Sequence, residues 1–200
     1  MQITTTTLTR AAALAAVASG LLFAAVQVKH PEITLDFTTT TEWKVRQGMK
    51  VAMATLALAG VTGMYLTQVR RIGLLGLVGY LMLSLGYLAM LGVEVIGLTV
   101  IPTIAPSAPE YVNGVVAAAT NNSSTADLGL FSPLNVVVGL GYILGGIVFG
   151  IAMFRAGVLA RWAAALLAVA ALATVVSLVL PMVNQRLFAV PNAVAMMGLG

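Results

Sequence analysis

The chain has 200 residues, ten Lys and Arg against six Asp and Glu, a formal net charge of +4 at pH 7 and 60% apolar residues. With 8% charged residues and a mean hydropathy of +1.03, it has too few polar side chains to cover a water-soluble globule, so lipid is the implied solvent. The basic residues are scattered singly or in pairs, so nucleic acid is not an expected partner. The absence of Cys excludes disulfides, thiolate nucleophiles and iron–sulfur sites, and the single His30 excludes sites built on several imidazoles.

In chain order, five apolar runs at 11–28, 51–66, 72–101, 134–154 and 162–180 approach or exceed the roughly 17–25 residues of helix that cross a bilayer core. A sixth, 187–200, reads as a half-span or as part of a spanning helix. The expected architecture is an all-α polytopic transmembrane helix bundle, one domain over 1–200, with five full spans and a sixth. The spans fall at about 11–28, 49–68, 72–101, 134–154, 158–181 and 187–200, with extracytoplasmic loops at 29–48 and 102–133. The first run reads as a retained helix: residues up to Thr9 carry no basic side chain, and no small-x-small cleavage pattern precedes Gln27.

Between the first two runs, 33–41 is β-prone and threonine-rich, which predicts an extended strand or hairpin over the bundle mouth, with a solvated loop as the alternative. After the third run, Pro102, Pro106 and Pro109 are expected to stop the helix. The stretch 109–119, with Pro at its first turn, reads as a short interfacial helix.

Charge placement orients the chain. With the N-terminus cytoplasmic, the inner turns hold Arg10, Arg70, Arg71, Arg155 and Arg161 and no carboxylate, while acidic and basic residues balance in the outer loops. This matches the positive-inside rule, and the expected location is a multi-pass protein of the cell membrane. Trp162 beside Arg161 fits an inner aromatic anchor; Trp43 and Tyr111 fit the outer boundary.

Glycines are the most informative residues within the spans. Gly73, Gly76 and Gly79 recur at three-residue spacing, and Gly141, Gly145, Gly146 and Gly150 form two small-x-x-x-small pairs, so all seven are candidate helix-packing positions. Glu94 is the one acidic residue inside a hydrophobic run. An intramembrane carboxylate is a candidate proton or cation site, but its place at the outer end of a long run predicts an ion pair with Lys50 or Arg186 instead. Tyrosines and methionines in the runs read as packing residues. No nucleophile elbow, P-loop or metalloprotease motif is present, so nothing points to an enzyme, a metal or a nameable cofactor.

The stretch 63–79, in which Gly63 leads through Arg70 and Arg71 to Gly73, Gly76 and Gly79, resembles the helix, Arg turn and Gly-rich helix of small polytopic bacterial membrane proteins. That resemblance implies a bundle of about six helices and carries over no catalytic residue. The leading expectation is a non-catalytic structural or accessory subunit that packs against other membrane subunits or its own copies. The alternatives are a small transporter or channel with inverted 3+3 topology, and a binder of lipid, quinone or pigment between helices.

Overall fold

Threonines and glycines set the helix boundaries. The computed structural model describes residues 4–120, 122, 125–179 and 189–200, with the side chains of 176–179 excepted. Thr4 caps α1 (Thr5–Gln27) by accepting from the Thr7 amide at 3.2 Å, so the helix starts ahead of the expected residue 11. An N-cap hydroxyl satisfies an amide that would otherwise lack a partner, which allows a polar turn to precede the apolar run.

The threonine-rich segment corrects the expected strand. It folds as a 3-10 turn, Asp36–Thr39, leading into α2 (Thr41–Thr67). Thr38, Thr39 and Thr40 each donate from the hydroxyl to the carbonyl three residues back, at 2.6, 2.9 and 2.8 Å. Thr40 also caps α2 through the Trp43 amide at 3.1 Å. Such local bonds compete with a sheet ladder, and a lone strand had no partner. They also bring the start of α2 well before the expected 49.

Next come α3 (Val69–Thr99) and the short α4 (Ile101–Ile104). Pro102 does not terminate this rod: it sits in the first turn of α4, where its missing amide hydrogen is not needed, and the apolar helix extends over Val69–Ile104. The expected short helix is present as α5 (Pro109–Ala119). It is followed by α6 (Phe131–Ala156), which ends on a left-handed Gly157, by α7 (Arg161–Val179) and by α8 (Ala189–Leu199). All regular elements among the described residues are helical.

Four helices, Thr5–Gln27, Thr41–Thr67, Val69–Ile104 and Phe131–Ala156, are long and apolar enough to cross a membrane. The apolar stretches Arg161–Val175 and Ala189–Leu199 are shorter. The count of five or six spans is not confirmed by these helices: α7, Arg161–Val179, has 19 residues and α8 has 11, and 180–188 lies outside the described residues.

The long helices close a ring in the order α1, α2, α3, α6, α7, α8 and back to α1. One core fills it, with Ala16, Val61, Leu83, Phe149, Leu167 and Met196 contributed by the six helices in turn. A second core lies at one end. There Trp43 from α2 and Ile101 from α4 pack with Val112, Leu128 and Phe131, and Ile33, Leu35 and Phe37 close over them. The loop regions 29–48 and 102–133 thus share one apolar cap.

Candidate functional site: a polar seam between α2 and α3

Helical spacing places Trp43, Gln47 and Lys50 on one face of α2. That face meets Glu94 and Gly97 of α3 below the cap. Lys50 Nζ stands 3.5 Å from Glu94 Oε2, with the two side chains 22% and 14% exposed. Gln47 is buried and its amide faces the same carboxylate, while its Oε1 has no hydrogen-bond partner. Gly97 makes room for Gln47: a methyl group there would overlap Gln47 Nε2. One turn nearer the cap, Trp43 Nε1 donates to the Gly97 carbonyl at 2.8 Å. The partner expected for Glu94 on α2 is therefore in place; Arg186 lies outside the described residues.

The regular part of α3 from Leu74 to Glu94 is about 30 Å long at 1.5 Å per residue, about the thickness of the hydrocarbon core. Glu94 thus belongs at the boundary if Arg71 marks the opposite one. A carboxylate held by an ammonium and an amide has its charge balanced locally, which suits fixing two helices more than releasing a proton. Among the described residues no group of three or more His, Asp or Glu can hold a metal.

Further along, the interior is lined by hydroxyls. Tyr80 bonds Thr62 at 3.2 Å and stacks on Tyr65 with ring centroids 4.6 Å apart. Tyr87 meets Tyr142 edge-on at 6.0 Å, and the Asn192 side chain reaches Tyr87 from α8.

The glycines divide by role. Gly79, Gly141 and Gly145 bring α3 and α6 into backbone contact: a methyl group on Gly79 would lie 2.5 Å from the Phe149 nitrogen, and one on Gly141 2.7 Å from Gly86 Cα. Leu83 backbone fills the position opposite Gly145. Gly146 and Gly150 turn to α7, facing Ala171 and Ala164. Two expectations are corrected. Gly73 packs against nothing and instead breaks the helix, with φ 63° and ψ −169°. Gly76 is covered by Ile72 of its own chain, not by another helix; the break at Gly73 separates those two residues and lets Ile72 fold over. Gly20, Gly60, Gly63, Gly86 and Gly97 also make close approaches, at positions outside the seven expected from the sequence. The seven-residue spacing of Gly79 and Gly86, two helical turns on one face, was the available signal.

No family model matches the chain, and no curated protein or solved structure matches it.

Proposed function

We propose that this chain is a non-catalytic integral membrane protein of the cell membrane, a structural or accessory subunit with its N-terminus cytoplasmic, whose working face is the extracytoplasmic cap. The observation that carries this reading is the Lys50–Glu94 pair. The carboxylate that would mark an ion path faces an ammonium of the neighbouring helix. In this reading α7 and α8 complete a fifth and a sixth span.

Helix order weighs against an inverted-repeat carrier. An in-plane two-fold axis would superimpose α1–α2–α3 on α6–α7–α8 while reversing the direction in which helices follow one another around the ring. Here both halves run around it in the same direction. The glycine contacts are used between helices of this chain, so they leave the cap as the place for a partner. An open groove of about 740 Å³ between α5 and the following loop carries Glu110, Tyr111, Asn113 and Asp127.

Affinity purification from native membranes under mild detergent tests the proposal. A subunit copurifies with other membrane proteins, or with its own copies, in fixed stoichiometry; a lone monodisperse chain overturns it. A second reading, a polar-headed ligand held between helices, is favoured by Ser84 Oγ and Asn192 Oδ1, which are buried without a partner among the described residues.

A further inference from the structure

The end of the bundle opposite the cap carries arginines with no acidic neighbour. Arg71 in the first turn of α3 and Arg155 in the last turn of α6 come together because those two helices are antiparallel neighbours. They line one cavity of about 370 Å³ whose other walls are apolar: Ile72, Leu74, Leu75, Ala152 and Ala156. Gly73 also lines it, so the wall carries no side chain at that point. A second cavity of about 470 Å³ also has Arg71 in its wall, with Arg70, Thr67, Gln68 and Val158. The ion pairs among the described residues are Arg46–Glu42 and Lys50–Glu94, and neither involves these arginines. Gln68 is buried, gives its Nε2 hydrogen to the Met64 carbonyl at 3.0 Å and leaves Oε1 without a partner.

We infer that the Arg71–Arg155 cleft is a binding site for an anionic phospholipid headgroup. Two guanidiniums supply paired N–H donors for a phosphate. The leucine, isoleucine and alanine walls suit the glycerol and first acyl carbons that follow a phosphate in a lipid and are absent from free phosphate. Basic pockets between helices at a membrane surface recognise anionic headgroups by this chemistry. The inference rests on the membrane reading proposed above and adds a ligand class and a location to it.

The test uses the full chain reconstituted into phosphatidylcholine vesicles with and without phosphatidylglycerol, then extracted for native mass spectrometry. Wild type retains phosphatidylglycerol in preference to phosphatidylcholine. Arg71→Gln and Arg155→Gln each lower that retention about fivefold. Arg71→Lys, which keeps the charge but not the paired donors, retains more than Arg71→Gln and less than wild type and so separates binding from folding, and Arg10→Gln, outside the cleft, leaves it unchanged. Equal retention of the two lipids, or equal loss in Arg10→Gln, overturns the site. Displacement of the lipid by soluble glycerol 3-phosphate at comparable concentration overturns the lipid assignment in favour of a free phosphate ester. Failure of the protein to enter either vesicle overturns the membrane reading itself, whereas entry without lipid preference overturns only the site.

Discussion

Gly86 and Gly141 meet backbone to backbone: a methyl group on Gly86 would fall 2.5 Å from the Tyr142 nitrogen, and one on Gly141 would fall 2.7 Å from Gly86 Cα. The α3–α6 interface therefore has no room for a side chain at its centre. Overpacking at such a contact costs about 1–3 kcal/mol. Gly141→Ala should lose stability in that range, and Gly139→Ala, which faces open space, should be neutral or slightly stabilising. Unfolding in mild detergent by denaturant titration checks the contrast; equal effects would remove Gly141 from the contact.

Gly73 should be intolerant for a different reason. Nothing lies within 4 Å of the position its Cβ would take, yet its φ of 63° and ψ of −169° belong to a region reached almost solely by glycine. Gly73→Ala should cost about 1–3 kcal/mol by backbone strain alone. The same titration reads it, and a change below the error would place the break elsewhere.

Breaking the Lys50–Glu94 pair should cost more than breaking an exposed one, because both side chains are largely buried. Lys50→Met leaves a carboxylate without its counter-charge and should destabilise by about 3 kcal/mol. Glu94→Gln leaves the Lys50 ammonium unpaired, but Lys50 is the more exposed of the two and its flexible stem can carry the charge toward water, so this variant should cost less. The double variant Lys50→Met with Glu94→Leu should recover most of the loss, which a double-mutant cycle measures. If Glu94→Gln instead abolished a cation flux in reconstituted vesicles with the fold intact, the transporter reading would replace the structural one.

The cap should be coupled to α3 through Trp43. Trp43→Phe removes the 2.8 Å bond to the Gly97 carbonyl, and the expected loss is about 1 kcal/mol. Faster amide exchange confined to the cap segments 33–43 and 101–131 is the signature. Uniform exchange across the bundle would show that the cap is not a separable unit.

Sidedness is testable because the chain has no cysteine. Single cysteines at Arg71 and Thr125 should label from opposite faces of intact vesicles, Arg71 from the cytoplasmic one. Labelling of both from one face overturns the proposed orientation.

Hydropathy in the sequence was enough to determine helices, because a backbone in lipid must satisfy its own hydrogen bonds and a helix does this within one segment. The short helix after Pro109 was also legible, since proline at a first turn is a local signal. The pairing of Glu94 with Lys50 was readable as one of two choices, from charge and depth alone. Helix ends were less legible. The starts at Thr5 and Thr41 depend on hydroxyl caps that hydropathy does not register, and the threonines of the 3-10 turn are β-prone residues that found carbonyls nearby before any strand partner. Only the tertiary structure decided which glycine does what. A small residue permits close approach but does not name the neighbour: Gly79 meets Phe149 across the α3–α6 contact, Gly76 meets Ile72 of its own helix, and Gly73 serves the backbone instead. That choice depends on helix rotation and ring order, which arise from contacts between residues far apart in the chain. The same holds for the cap, where Trp43 reaches Gly97 across 54 positions: sequence placed both residues near one boundary, and packing alone brought them into contact.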